Sequence, residues 1–354
     1  MGISSKINVF RRKLTHGLTK NIGKQRVEQN FVLVDKNEIK RVLICRPNAR
    51  LGNLLLITPL VQEVEQLFPN CKIDLFVKGF LAPAIYKNYN QVSNIIELPK
   101  KPFKSLWQYF KVWNSLTTQK YDIAINVDQG SSSGRLATRF ANARFKCFGD
   151  LSVTTDLHFE QESHIAKYPV LNFREYSAKL GLKNRGEIAC LNLKLTSFEI
   201  ANGRETLQKV LHNSEKTICI FTYATGSKRL SESWWENFYS ILKTEYPNYN
   251  IIEILPIENV SQIGFKAPAF YSKDIRKIGA VIANADLFIG ADSGIMHLAS
   301  AVNTPTIGLF LVSNMKKYEP YCNDSIGVDV NTFTVKDYLK TIDTILNKSN
   351  LKSS

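Results

Sequence analysis

Along the chain, short apolar runs alternate with longer segments in which apolar residues recur every three or four positions. The first run, residues 41–45, reads as a strand. A turn-like stretch follows from Arg46 to Asn53, and then a helical pattern over 54–68, where Pro59 must start, kink or interrupt the helix. Strands are expected at 72–77, 95–98, 121–127 and 145–148, with helices at 103–118 and 134–142 between them. Periodicity weakens over about 150–187, where 164–180 reads as a helix ending at Gly181. Alternation then resumes. Strands are expected at 217–222, 251–255, 287–290 and 306–310. Helices are expected at 232–246, 274–285 (Ile275, Ile278 and Ile282 on one face), 295–301 and 335–346. Strands alternating with helices imply parallel sheets. Two such blocks of similar size predict an α/β protein of two facing Rossmann-like domains with a cleft between them. The junction falls near Asn184-Arg185-Gly186, which gives an extension at 1–38, a first domain at 39–185 and a second at 186–354.

The 354 residues suffice for two domains of ordinary size, and a hydrophobic share of 44% gives each a core. No apolar run approaches the roughly 18–20 residues needed to span a bilayer; the longest candidate, 54–61, is far shorter. Arg11, Arg12 and Lys13 interrupt the region where a secretory signal would place its apolar core. A cytoplasmic chain is therefore expected. Its six cysteines form no close pair or metal knuckle and read as reduced core residues.

Net charge is +15, and the excess is concentrated. Residues 1–50 hold twelve Lys or Arg and three Asp or Glu, so this segment contributes 12 − 3 = +9. Within it Ile7, Phe10, Leu14 and Leu18 are spaced for one face of a basic amphipathic helix, able to lie on an anionic membrane or to pack on the domain. A merely solubilising tail is the plain alternative. No nucleic-acid motif accompanies the charge, so no nucleic-acid partner is expected.

The sharpest chemical signal lies at residues 285–301. A buried strand ends at Gly290, and the chain turns through Asp292-Ser293-Gly294 into a helix. Backbone N–H groups at a helix N-terminus are unsatisfied and carry partial positive charge, and Ser293 and Gly294 permit a phosphate to approach them closely. In an open parallel sheet, ligands bind at the carboxyl ends of strands, where this turn lies. Asp292 either caps the helix or accepts a ribose or sugar hydroxyl. His297, on the first turn, is either a core histidine or part of the same site.

The segment ADLFIGADSGIMHLASAVNTPTIGLF resembles the signature of the heptosyltransferases, the ninth family of glycosyltransferases, through Asp292, Ser293, Gly294, His297, Ala299, Ser300, Ala301 and Pro305. The likeness extends over about 40–346. RVLICRPNARLGNLLLITPL is similar to the family's first strand, glycine loop and helix, with Gly52, Thr58 and Pro59 matching. YDIAINVDQGSSSG is similar to its buried strand and following turn, here Asp128, Gln129 and Gly130. FTYATGSKRLSESWW resembles the segment whose lysine meets the donor phosphates, and Lys228 fits that role. The resemblance implies a GT-B fold, with a nucleotide-diphosphate sugar bound to the second domain by Lys228, Asp292, Ser293, Gly294 and His297. It implies an acceptor held by the first domain beside Gly52, Gln129 and Gly130. The implied reaction moves heptose from ADP-heptose to an anionic lipopolysaccharide-core acceptor, by a single inverting displacement, at the inner face of the cytoplasmic membrane. No Asp-x-Asp metal signature is present, and no metal or cofactor is expected.

Two positions depart from the family. Where it has an aspartate proposed as general base, this chain has Asn53, and an amide takes no proton at neutral pH. Either Asp128, ending a neighbouring strand, substitutes as base while Asn53 positions the acceptor or caps the following helix, or the activity is weak, different or lost, as in a pseudoenzyme that binds nucleotide-sugar without turnover. The family also usually has glycines after the strand at 251–255; Pro256-Ile257-Glu258-Asn259 stand there instead. A Rossmann-type oxidoreductase is disfavoured, because no G-x-G-x-x-G follows the first strand.

Overall fold

The computed structural model describes Ile22 and residues 33–99, 106–150, 164–183 and 186–353. The amphipathic pattern at Ile7–Leu18 lies outside the described residues, as do Asn184 and Arg185 of the expected junction.

The first lobe is built on strands β1 (Arg41–Arg46), β2 (Lys72–Lys78), β3 (Val92–Leu98), β4 (Lys120–Asn126) and β5 (Asn142–Cys147). Its helices are α1 (Leu51–Leu55), α2 (Thr58–Leu67), α3 (Ala82–Ile85), α4 (Leu106–Thr118), α5 (Ser132–Phe140) and α6 (Lys167–Lys179). The sheet is parallel, in the order β3-β2-β1-β4-β5. The second lobe comprises α7 (Ser197–Leu211), β6 (Thr217–Phe221), α8 (Glu232–Glu245), β7 (Asn250–Ile254), β8 (Ala269–Phe270), α9 (Ile275–Ile282), β9 (Leu287–Ala291), α10 (Gly294–Ala301), β10 (Thr306–Phe310), α11 (Met315–Tyr318), β11 (Ile326–Asp329) and α12 (Val335–Ser353). Its parallel sheet reads β11-β10-β9-β6-β7-β8. Every residue of β6, β9 and β10 is buried, as a parallel sheet covered on both faces requires. This is the expected α/β pair of Rossmann-like lobes.

Each sheet reverses its strand order once, between β1 and β4 and between β6 and β9. The crevice at the carboxyl ends of such a strand pair is where open α/β sheets bind ligands. Arg46 ends β1 and Asp128 follows β4, while Lys228 and Asp292 follow β6 and β9. Topology therefore brings residues far apart in sequence to two matching crevices.

Several local expectations are corrected. The single helix at 54–68 is two. α1 starts within the supposed turn and stops at Leu55, and the Thr58 hydroxyl donates to the Leu55 carbonyl at 2.7 Å before Pro59 opens α2, where a missing N–H costs nothing. The structure adds α7, whose N-terminus is a capping box: Thr196 accepts from the Glu199 N–H at 3.2 Å, and Glu199 accepts from the Thr196 N–H at 2.8 Å. The cysteines are not all free. Cys190 and Cys322 form a disulfide across 132 residues, their Cα atoms 6.0 Å apart. The fold lays the interlobe linker beside the loop after α11, a proximity that spacing along the chain cannot reveal. The remaining four are buried thiols, and burial pushes Cys45, Cys71 and Cys147 up to about 12, so they are inert packing residues.

One apolar core runs from the first sheet through Leu191 and Leu193 of the linker into the second lobe. Arg276 of α9 ties the same region together. It donates to both Glu199 oxygens (2.6 and 2.7 Å), to the linker carbonyls of Leu193 and Lys194, and to Ala84 of α3 in the opposite lobe. Pairing with Arg276, aided by the Thr196 N–H and hydroxyl, outweighs partial burial and holds the Glu199 carboxyl down at about 2. A carboxyl depressed on folding stabilises the native state fully above its unfolded value of about 4.5, and that contribution is lost as pH falls toward about 2. Urea unfolding across this window should show the wild type losing stability. Glu199→Gln should be weaker at neutral pH and lose less on acidification; parallel curves would contradict the assignment.

Candidate active site

Helix α10 opens the second-lobe crevice. Ser293 is its N-cap, in extended backbone (φ −153°), and its hydroxyl accepts from the Met296 N–H at 3.3 Å. The cap is thus Ser293, which frees Asp292 from that task. Asp292 is buried, and its Oδ2 lies 2.6 Å from Lys228 Nζ, which reaches over from the short turn Gly226–Lys228 after β6. The Lys228 side chain is 38% exposed, so it joins a buried carboxylate to solvent at the mouth of the helix. A carboxylate buried without a partner is costly, so Lys228 compensates Asp292 while keeping further N–H donors for a ligand.

His297 lies one turn into α10 and is buried. Burial, against the opposing pull of Asp292, pushes its imidazole down to about 4, so near pH 7 the ring is neutral. It contributes hydrogen bonding and shape to this crevice, not positive charge. Its Nδ1 has no hydrogen-bond partner.

The opposite lobe meets this turn directly. A Cβ placed on Gly52 would lie 2.8 Å from His297 Cδ2 and 3.5 Å from Gly294 Cα. One placed on Gly294 would lie 3.1 Å from Leu51 Cβ and 3.2 Å from Gly52 N. Two glycines therefore let α1 and α10 touch. A second strut stands nearby: the Ile165 N–H donates to Lys317 O at 3.0 Å, and His164 Nε2 donates to Glu319 O at 2.7 Å. The His164 Nδ1 accepts from the Ala166 N–H at 3.2 Å, and burial pushes this ring down to about 4 as well. His164 is thus a neutral structural link.

Between the struts is a cavity of about 380 Å³, lined among others by Arg46, Asn53, Asp128, Gln129, Gly130, Tyr168 and Lys317. Arg46 is its organiser. Its guanidinium forms an ion pair with Asp128 and donates to Asn53 Oδ1 at 3.3 Å. The second Asp128 oxygen accepts from the Gly130 N–H at 3.0 Å. With its carbonyl facing Arg46, Asn53 has its NH₂ group left as a donor.

The sequence-predicted residues thus fall into two groups. Asn53, Asp128, Gln129 and Gly130 line the first-lobe cavity, while Lys228, Asp292, Ser293, Gly294 and His297 form the second-lobe turn. Gly52 stands between them at the interlobe contact. Sequence reasoning missed Arg46, Lys317 and Tyr168. Arg46, the charged residue that closes the apolar run 42–45, could be singled out in the sequence but its partners could not; Lys317 and Tyr168 carried no signal.

With this geometry in place, four similarities bear on the chain. Residues 273–343 match the model of glycosyltransferase family 9 (heptosyltransferase). The chain is 24% identical over 302 residues to lipopolysaccharide heptosyltransferase 3 of Escherichia coli, covering 78% of this chain and 85% of that protein. In fold it is similar to the glycosyl transferase family 9 structure from Veillonella parvula, with a TM-score of 0.70 at 15% identity, covering 89% and 99% of the two chains. The structure of E. coli heptosyltransferase WaaC with ADP gives 0.63 at 16%, covering 86% and 99%. These matches support the two-lobed GT-B architecture.

Helix propensity alone would make Gly52→Ala stabilising by about 1 kcal/mol. The contact with His297 reverses the sign, since overpacking costs about 1–3 kcal/mol. Urea denaturation should therefore show Gly52→Ala less stable than wild type, whereas Gly130→Ala, whose Cβ would meet only Asp128 Oδ1 at 3.4 Å, should be tolerated. A stabilised Gly52→Ala would mean that the lobes do not meet there.

Proposed function

We propose that the chain is a glycosyltransferase of the heptosyltransferase type, which moves heptose from ADP-heptose onto a lipopolysaccharide-core or related glycolipid acceptor, with inversion. The observation that carries this reading is the Lys228–Asp292 pair at the N-terminus of α10, facing the first-lobe cavity across Gly52. Lys228, the α10 dipole and the backbone N–H groups of the turn would receive the departing diphosphate, whose negative charge grows as the sugar–oxygen bond breaks. Asp292 holds the lysine and offers an acceptor to a donor hydroxyl. We assign residues 39–185 to the acceptor and 186–354 to the donor.

In the cavity, the Asn53 amide orients the acceptor hydroxyl, and Asp128 takes its proton. Both Asp128 oxygens already accept one hydrogen bond, from Arg46 and from Gly130, so the carboxylate is fixed in place with lone pairs to spare. We place the reaction at the inner face of the cytoplasmic membrane. No helix among the described residues is long and apolar enough to cross one.

Asn53 also supports a second reading, that of a nucleotide-sugar-binding protein without turnover. Mass-spectrometric assay of transfer from ADP-heptose to lipopolysaccharide-core acceptors separates the two. The proposal expects wild-type turnover that falls by about 10²–10⁴-fold in Asp128→Asn, with donor binding retained. Donor binding without product, with product appearing in Asn53→Asp, would establish the second reading.

A further inference from the structure

The outer face of the first lobe carries an unpartnered aromatic surface. Helix α4 packs inward through Tyr109, Val112, Trp113 and Leu116 onto Phe76 and its neighbours. Its opposite face leaves Trp107 84% and Phe110 66% exposed, with Leu106 beside them and Phe140 of α5 standing edge-on to Trp113. Soluble surfaces scatter single apolar side chains, but several large ones on one helix mark an interaction site.

Charge selects the partner. From 106 to 146 the chain holds six Lys or Arg and two Asp; Arg135 is buried against Asp150 and Arg144 pairs with Glu38, so the cations of this face are led by Lys111 and Arg139. Neither aspartate offsets the surface: Asp122 accepts the backbone N–H groups of Lys40 and Arg41, and Asp128 is held by Arg46. Lys111 and Arg139 are exposed on α4 and α5. Exposed Trp and Phe among cations, with no acid on the helix, is the composition of an element that rests in the interface of an anionic bilayer.

Placement agrees. Gln119 alone separates α4 from β4, so the helix runs antiparallel to the strands and points its N-terminus toward their carboxyl ends. Trp113 packs on Phe76, near the carboxyl end of β2. Trp107 lies six residues, about 9 Å, further along. The aromatic end of α4 thus projects at the edge of the sheet where Arg46 and Asp128 open the cavity. We propose that this face, led by Trp107, Phe110, Lys111 and Arg139, docks on an anionic phospholipid bilayer. The inference requires no particular acceptor and stands apart from the transfer reaction.

Flotation of the full chain with vesicles of phosphatidylethanolamine and phosphatidylglycerol, against vesicles of phosphatidylcholine, tests it. Wild type should float with the anionic vesicles and be released by salt. Trp107→Ser/Phe110→Ser and Lys111→Glu/Arg139→Glu should each lower partitioning about tenfold or more, with unchanged thermal midpoints. Brominated lipid should quench wild-type tryptophan fluorescence, and Trp107→Phe should remove most of that quenching. Flotation equal in wild type and both variants, no flotation of the wild type, or no quenching attributable to Trp107 would overturn the proposal. So would self-association that the aromatic variant abolishes while flotation is unchanged, because it would assign the face to a second copy of the chain.

Discussion

The contact between Gly52 on α1 and Gly294 and His297 on α10 sets the geometry of everything else in the site. Each lobe alone is a parallel sheet with a crevice where its strand order reverses. A crevice on one lobe can bind, but a transfer needs two bound molecules within bonding distance. Side chains at Gly52 or Gly294 would force the lobes apart at that point. Absent Cβ atoms therefore do structural work that no hydrogen bond does, and the linker, gripped by Arg276 and joined through Cys190 to Cys322, holds the lobes in that relation.

Electrostatics then distinguishes the two crevices. In the second lobe a buried carboxylate and a half-exposed lysine leave net positive character at the solvent edge, and the α10 N–H groups add to it. His297 adds none, because burial keeps it neutral. The first-lobe cavity also pairs a cation with a carboxylate, but there the cation, Arg46, is the buried partner, and Asp128, its side chain 42% exposed, lines the cavity. One crevice presents a cation, suited to a leaving diphosphate. The other presents a carboxylate and an amide, suited to a hydroxyl that must be oriented and deprotonated. The Cys190–Cys322 disulfide runs against the sequence expectation of six reduced cysteines, since disulfides persist in oxidising compartments.

Much of the fold was legible because strands buried on both faces read as continuous apolar runs, and β6, β9 and β10 fell where those runs lie. Pro59 announced a break but not its form, since the Thr58–Leu55 hydrogen bond depends on a hydroxyl as much as on the proline. α7 went unread although Thr196 and Glu199 stand at capping-box spacing, because its apolar stripe is weak: Gly203 and Leu207 are its buried residues. At the site, the second-lobe turn is local in sequence and could be read. Its division of labour, with Ser293 capping and Asp292 pairing to Lys228, could not, because the lysine arrives from 64 residues away (292 − 228). Arg46, Lys317 and the disulfide share that difficulty: each acts on a partner that only the folded chain brings near.

The site as a whole stands on one proposal, that the turn at Asp292-Ser293-Gly294, with Lys228, holds a nucleotide diphosphate. Titration calorimetry with ADP tests it most directly. Binding should be saturable, weaken about tenfold or more in Lys228→Ala, and stay unchanged in Lys266→Ala, whose lysine pairs with Glu236 on the surface. Absence of ADP binding, or equal affinity in wild type and Lys228→Ala, would contradict it.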